Sequence, residues 1–450
     1  MSSDTHQKYL VAVIGAGPAG LYAAQELARH NVHVVIFNRD VKPGGLAEYG
    51  IYPDKFKMKD GLRSQFNQIL SMDQIDYYGN IVIREDGDFR LNELRALGFQ
   101  AILVTAGAQG TKWLGLPGED LVGVYHAKDL VYHYNLLPPF SQYTYQLGCR
   151  AAVVGVGNVM LDVTHYLIAE MKVDEVITIA RRGPGEVKFT KKELEAVVAN
   201  LDIDNLEAEV DRHADLMRSL GQNPGELKEI VCSALPKAER TGSRTHFTVQ
   251  FLLSPVRILG DSRGFVKGLE VEENTLVKEN GSIIARGTGE HRVIDLDSVV
   301  FAIGDKVDGW FGLPVQSNEF VKDPNPKFPV DGLSYEVFDP QADCPMDGYF
   351  VAGWSRKAST GLVGLARKDG TNGAKAVLQY LAEQPELEKL PLKNITDRLE
   401  RLKKPIVSRS GLYRLESIEQ DQARRFGVQD FKYATNQEML EAIGLEENLA

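Results

Sequence analysis

Short unbroken apolar runs alternate along this chain with longer stretches in which apolar residues recur every third or fourth position. The first pattern suits a strand buried on both faces, the second an amphipathic helix. Residues 9–14, Y-L-V-A-V-I, and 32–37, V-H-V-V-I-F, are runs of the first kind, with helical spacing between them. The same succession returns at 150–154, R-A-A-V-V, and 176–180. Further strands are predicted at 81–83, 99–105, 245–259, 265–277, 292–303 and 349–354. Helices are predicted at 62–69, 190–200, 206–235 (interrupted by Gly221 and Pro224) and from the loop at 359–361 to 382. Strands alternating with helices predict an α/β chain with parallel sheets. Residues 389–450 mix charged and apolar positions without low complexity, which predicts ordered helix and loop.

Both strand–helix successions pass through glycine. Gly15, Gly17 and Gly20 stand at the spacing G-x-G-x-x-G directly after the first strand, the context in which that spacing marks a dinucleotide site. The first glycine turns the chain, the second lets the backbone approach a pyrophosphate, and the third lets helix and strand pack closely. The anion then lies at a helix N-terminus, where free N–H groups and the dipole favour it. An acid is expected at the end of the second strand, accepting from the ribose hydroxyls. Asn38 stands there instead; its amide oxygen is expected to accept one such bond, with Asp40 nearby. The loop through Pro43, Gly44, Gly45 and Leu46 is expected to line the ligand crevice. Lys55, Lys57 and Lys59 alternate as in a solvated face. A strand ending at Ala106 and Gly107 lets the backbone pass close to a cofactor. Another ends at Gly353, and the loop of Ser359, Thr360 and Gly361 then presents a further helix N-terminus. Trp354 reads as core by composition.

The second unit keeps Gly155 and Gly157 but has Met160 at the third position. Its second strand ends in Arg181, Arg182 and Gly183. Arginine suits a 2′-phosphate, which an acid would repel, and guanidiniums bind it through charge-assisted, often bidentate bonds. At ~1.5–3 kcal/mol for each such bond, the pair favours NADP over NAD by at least ~10-fold. The alternative is a solvated basic turn. Thr190 and Glu193 have the spacing of a capping box, which accounts for Glu193 as structure.

Composition narrows the reading. A chain of 450 residues, 43% apolar and 25% charged, has room for two or three domains with substantial cores. Its net charge of −11 argues against general nucleic-acid binding and leaves room for a local basic patch. Cys149, Cys232 and Cys344 are isolated, so no redox pair, zinc spacing or other metal site is expected, which counts against a disulfide reductase. Residues 1–8 lack a basic leader region and no apolar run reaches membrane length, so the chain reads as cytoplasmic, without membrane insertion. Turn residues at 112–117, Pro138 with Pro139, and the three prolines of 323–329 mark breaks. They suggest a first domain over 1–108, an inserted one over 109–330 and a return over 331–450.

Four strings carry a family resemblance: G-A-G-P-A-G at 15–20, G-V-G-N-V-M-L-D-V at 155–163, R-R-G-P-G-E-V-K-F-T-K-K-E-L at 181–194, and A-G-W…T-G-L-V at 352–363. With the terminal E-S-I-E-Q-D-Q-A-R-R-F-G…Q-E-M-L-E-A-I-G, they resemble the adrenodoxin reductase type of ferredoxin–NADP+ reductase over nearly the whole chain. The resemblance implies two Rossmann-like three-layer dinucleotide-binding domains, the NADP domain inserted in the FAD domain. It implies FAD in the first site, contacted around Ala19, Asn38, Leu46, Val82, Trp354, Gly361, Leu362 and Val363. It implies NADP in the second, contacted by Val156, Gly157, Asn158, Val159, Arg181, Arg182 and Glu193. Hydride would pass between nicotinamide and flavin, and single electrons would go to a small acidic iron–sulfur protein such as ferredoxin. The cofactors carry that chemistry while the protein supplies orientation and electrostatics, so no triad or metal cluster is needed.

Three positions depart from the family: Asn38 for an acid, Lys55 for a histidine, and Ala358 with Ser359 for Gly-Pro. The second replaces an active-site histidine–aspartate relationship by Lys55 with Asp162, where the lysine is expected either to raise the flavin potential or to pair with Asp162. Lys188, Lys191, Lys192, Lys237, Arg240 and Arg244 are candidates for a positive patch facing an acidic partner. Two rival functions remain open on sequence. One is an NADPH-dependent reductase or oxidase acting on a quinone, oxygen or small organic acceptor. The other is a non-enzymatic flavin-binding redox subunit, against which the second dinucleotide unit argues.

Overall fold

A computed structural model describes residues 7–445, so the leader reading of residues 1–8 falls almost wholly outside the described residues, as does the end of the tail from 446. The chain opens with β1 (Tyr9–Ile14), α1 (Pro18–Arg29), β2 (Val32–Asn38), α2 (Phe56–Leu70), β3 (Ile75–Gly79) and β4 (Ala101–Val104). It continues through β5 (Val124–His126), β6 (Arg150–Val154), α3 (Asn158–Ala169), β7 (Glu175–Ile179), α4 (Ile203–Ser219) and α5 (Gly225–Ala234). Then come β8 (His246–Gln250), β9 (Leu253–Gly260), β10 (Val266–Glu279), β11 (Ser282–Asp295) and β12 (Ser298–Phe301). The last part holds β13 (Glu336–Asp339), β14 (Cys344–Val351), α6 (Val363–Leu381), β15 (Val407–Ser408) and α7 (Arg409–Phe426).

These elements form two compact units. The first comprises Met1–Thr111, Tyr132–Gln142 and Gly304–Ala450; the second, Lys112–Val131 and Tyr143–Ile303. In the first unit a seven-stranded sheet has the order β13-β14-β4-β1-β2-β3-β15, parallel from β14 to β3 with an antiparallel strand at each edge. The unbroken apolar sequence of β1 follows from burial on both faces. Val11 and Val13 join α1 and α6 in one core layer. Leu10, Ala12 and Ile14 join Leu91, Leu94, Ile395 and Leu399 in the other. Gly15 lies where the strand order reverses, between β1's neighbours β2 and β4, the place where such sheets bind ligands.

The second unit has a parallel sheet in the order β5-β12-β6-β7-β8 and an antiparallel sheet β9-β10-β11. The smaller sheet packs on one face of the larger through Leu253, Ile258, Leu269 and Val271 against Ala152, Ile177 and Val299. One of its three layers is therefore a sheet.

Several boundaries differ from the sequence reading. The chain rejoins the first unit at Gly304, not at 331, because Asp305–Lys306 pairs with Gly110–Thr111 and Val307, Phe311 and Phe320 enter the first unit's core. Residues 323–329 accordingly lie inside that unit, where Asp323 is buried, and are no linker. The segment 81–83 is a loop with one bridge, Ile83 to Phe89; the strand precedes it, and Asn80, at φ +63°, ends the run. The predicted strand 245–259 breaks at Leu252, φ +56°, so that its halves serve different sheets. No helix among the described residues is long and apolar enough to cross a membrane.

Candidate functional site

The first glycine loop is held from both sides. Gly15 has φ +101°, and a Cβ there would lie 2.8 Å from the Thr105 carbonyl. Gly20 admits no side chain, since a Cβ would meet the Gly15 oxygen at 2.0 Å and Thr105 Oγ1 at 2.5 Å. Gly17 is different. No protein atom lies within 4 Å of where its Cβ would stand, so packing does not demand glycine there. What glycine leaves is open space before the N-terminus of α1, which has Pro18 in its first turn and no side-chain cap. That space suits the pyrophosphate of a dinucleotide.

Asn38 does not serve as the expected ribose acceptor. It is 6% exposed, its Oδ1 accepts from Ala16 N–H at 2.9 Å, and its Nδ2 donates to the carbonyls of Asp40 and Lys42 at 2.8 and 3.0 Å. Burial turns the amide inward, where it ties the glycine loop to the turn after β2. Gly44 N–H donates to Ala16 O at 2.7 Å, which seats the next loop, carrying Gly45 and Leu46, on the first. Val82 lies in the loop after β3, its N–H donating to Asp88 Oδ2 at 2.8 Å.

On the C-terminal side, Gly107 (φ +76°) donates to Ser355 Oγ at 2.9 Å, and Gly353 (φ +65°) donates to Asp369 Oδ2 at 2.6 Å. Asp369 is also gripped by Arg356 and accepts from the Tyr335 hydroxyl. Ala19 lies beneath Gly353 and Gly370, whose Cβ atoms would come within 2.6 and 2.1 Å of it. Trp354 is not core: its indole N–H donates to Thr360 O at 2.9 Å and so pins the loop that leads through Gly361 and Leu362 to Val363 at the start of α6.

Beneath the loop at 43–50 lies a buried ionic cluster. Glu48 takes a two-pronged bond from Arg63 (2.6 and 2.8 Å) and one from Lys432 at 2.8 Å. Burial alone would raise the Glu48 carboxyl, but Lys432, Lys42 and Arg63 outweigh it and hold the group well below the usual carboxylate range. The three alternating lysines do not share one solvated face. Lys57 is exposed and Lys55 half-buried at the residue before α2, whereas Lys59 is 1% exposed and donates to Asn135 Oδ1 at 2.6 Å. Burial, with Lys432 adding to it, pushes the Lys59 ammonium down to about 7.

The second glycine loop repeats the plan with changes. Gly155 has φ +140° and would strike Ala302 O at 2.4 Å, while Gly157 again has nothing within 4 Å and no side-chain cap follows it. Met160 is fully buried, its sulfur accepting from the hydroxyls of Thr178 and Thr164 at 3.2 and 3.6 Å. The loop after β7 is tied to this glycine loop by Lys188 N–H to Val156 O and by Thr190 N–H to Asn158 Oδ1, both 2.9 Å. Val159 is exposed and Asp162 half-buried on α3. Arg181 is exposed and Arg182 partly so, and no carboxylate among the described residues pairs with either guanidinium. An open glycine, an uncapped helix and two uncommitted guanidiniums fit a dinucleotide carrying a 2′-phosphate.

The capping box at Thr190 does not form. The helix after it is one turn, Lys191–Leu194, and the Thr190 hydroxyl donates to the Glu193 carboxylate instead of serving the backbone. Thr105, Ser355 and Asp369, which hold the first site, escaped the sequence reading because their partners lie far along the chain. Cys149, Cys232 and Cys344 are unpaired and exposed, and no group of three or more His, Cys, Asp or Glu among the described residues is placed to hold a metal.

Comparison with known proteins gives a consistent answer. The pyridine nucleotide-disulphide oxidoreductase family model matches residues 9–210. The chain is 30% identical over 399 residues to the mitochondrial NADPH:adrenodoxin oxidoreductase of Arabidopsis thaliana, covering 80% of each protein. It is 29% identical over 418 residues to the NADPH-ferredoxin reductase FprA of Mycobacterium leprae, covering 85% of this chain and 86% of that one. Mycobacterium tuberculosis FprA, solved in complex with NADPH, matches with a TM-score of 0.80 at 25% identity, covering 97% of this chain and 99% of the other.

Proposed function

This chain belongs to the adrenodoxin reductase and FprA type of ferredoxin–NADP+ reductase, and we propose that its two glycine loops divide that family's work, the first holding FAD and the second NADP(H). It is an FAD-dependent oxidoreductase. FAD, when held there, would supply the redox chemistry, hydride uptake from NADPH and single-electron delivery to a ferredoxin-like acceptor. Gly15, Gly17, Ala19 and Gly20 present the N-terminus of α1 to the FAD pyrophosphate. Gly45, Leu46, Val82, Ala106, Gly107, Gly353, Trp354, Gly361, Leu362 and Val363 supply its other contacts, and Asn38 shapes the loop from behind. For NADP(H) the corresponding residues are Val156, Gly157, Asn158, Val159, Arg181, Arg182 and Glu193.

One contrast carries this assignment. The second site ends in two guanidiniums with no acid partner among the described residues, whereas the first ends in an inward-turned amide. Lys55 and Asp162 are our candidates for handling charge and protons during turnover. If Lys55 tunes the flavin, Lys55→His shifts the flavin potential, and an unchanged value removes that role. The exposed Lys188, Lys191, Lys192, Lys237, Arg240 and Arg244 are proposed to meet an acidic iron–sulfur protein, so turnover with a ferredoxin falls as ionic strength rises. Exposed, unpaired cysteines suit a reducing compartment, and we place the protein in the cytoplasm.

The decisive test is stopped-flow reduction by NADPH and NADH in parallel, followed by ferredoxin, quinone or oxygen. NADPH is expected to bleach the flavin at least ~10-fold more efficiently than NADH, and the reduced protein to prefer ferredoxin. In the double variant Arg181→Ala, Arg182→Ala that preference for NADPH disappears. Equal use of both nicotinamides by the unaltered protein overturns the role of the arginines. A colourless protein that takes up no flavin overturns the whole reading.

A further inference from the structure

The loop that carries the two arginines is not self-supporting. Its carbonyls reach to the antiparallel sheet and to Leu252 just before it, a region with no nucleotide-binding sequence of its own. Arg181 O accepts from Asn274 Nδ2 at 3.0 Å, and Arg182 O accepts from Leu252 N–H at 3.3 Å. Leu252 O in turn accepts from Asn274 N–H at 2.8 Å, so both arginine carbonyls are tied to one hydrogen-bonded pair of residues. Asn274 sits at the register shift of the β10–β11 pairing and is 8% exposed. Its amide is itself steadied by Ser254 of β9: Nδ2 donates to Ser254 Oγ at 2.8 Å, and the Ser254 hydroxyl lies 3.2 Å from Oδ1. Leu252, at φ +56°, takes the left-handed backbone that serves these bonds at the cost of local strain. Beneath the loop, Leu276 of β10 comes within 3.1 Å of where a Gly183 Cβ would stand, and Gly183 N–H is closed off by Glu186 at 2.9 Å.

We propose that Asn274, backed by Ser254, is a positioning residue for NADP selectivity. It anchors the backbone at Arg181 inward, so that the two guanidiniums are presented ready-made to a 2′-phosphate. The inference rests on assigning the second site to NADP(H). The amide is well chosen for the task. A carboxylate of the same size cannot donate to a carbonyl, and an apolar residue takes this partner from the part-buried Arg181 O.

The test is calorimetric binding of 2′,5′-ADP and of 5′-AMP to the flavin-loaded protein, which reads the 2′-phosphate contribution without turnover. In Asn274→Asp the ratio of the two affinities is expected to fall by about tenfold, through loss of 2′,5′-ADP binding with 5′-AMP binding unchanged. Ser254→Ala, which leaves the Asn274 amide in place but unsteadied, is expected to lower the same ratio by about threefold. Should Asn274→Asp fail to fold, Ser254→Ala carries the test alone. A folded variant that keeps the unaltered ratio, or that loses both ligands equally, overturns the proposal. If the unaltered protein itself fails to prefer 2′,5′-ADP, the NADP assignment falls first and takes this inference with it.

Discussion

The two glycine loops of this chain share a plan and differ at two points. In the first, Gly20 lies so close on the Gly15 carbonyl that no side chain fits, and the charges around the adjoining loop are paired and largely withdrawn from solvent: buried Glu48, Lys42 and the Lys432 side chain, with half-buried Arg63. In the second, a methionine occupies the corresponding position, filling the space between α3 and β7, and the charges at the strand end are wholly or partly exposed and have no acid partner among the described residues. The third glycine is thus a packing requirement of one helix–strand contact, which the other contact meets with a buried methionine. Only the glycine at the second position, Gly17 or Gly157, has open space in both loops. Where charge is kept also differs with the task. Paired, buried ions shape a loop, whereas unpaired, exposed ions are available to a ligand.

The largest expected effect breaks this contrast at its root. Gly20→Ala places a methyl against backbone oxygen that cannot yield, so a loss of more than ~4 kcal/mol is expected, with a colourless preparation. Denaturant unfolding and flavin absorbance read both, and a yellow variant of ordinary stability abolishes the distinction between the loops. Met160→Ala should cost ~2–5 kcal/mol by leaving a cavity, yet keep the preference for NADPH. A changed nicotinamide preference would mean that Met160 does more than fill space.

Asn38→Asp sharpens the comparison at the strand ends. It restores the acid common in the family but removes the donor to the Asp40 and Lys42 carbonyls. A stability loss of ~1–3 kcal/mol and weaker flavin retention are expected; tighter flavin binding would show that the position addresses ribose after all. The last prediction is read in pH and concerns Lys59. Its folded pKa of about 7 lies below the unfolded value, so between about pH 7 and 10 the unfolded chain binds more protons and stability rises with pH. The slope is at most ~1.4 kcal/mol per pH unit. Below about pH 7 the cost of a buried ammonium is fully present. Lys59→Met should flatten the profile, read as unfolding midpoints across that range.

Much of the fold was legible because it is written in short-range covalent and steric terms. A glycine that must turn, an apolar run buried on both faces, and arginines at a strand end all act within a few residues of themselves, so the sequence by itself determined both glycine loops, the strands entering them and the likeness to a two-nucleotide reductase. What only the tertiary structure decided depends on partners remote in the chain. Whether Asn38 faces a ribose or Ala16, which sheet each half of 245–259 joins, and that the chain rejoins the first unit at Gly304 are settled by packing. Thr105 holding Gly15, Asp369 holding Gly353 and Asn274 holding Arg181 belong to the same class. A hydrogen bond worth about a kilocalorie forms only where the rest of the fold has already brought donor and acceptor together and excluded water. No local pattern in the sequence announces that meeting.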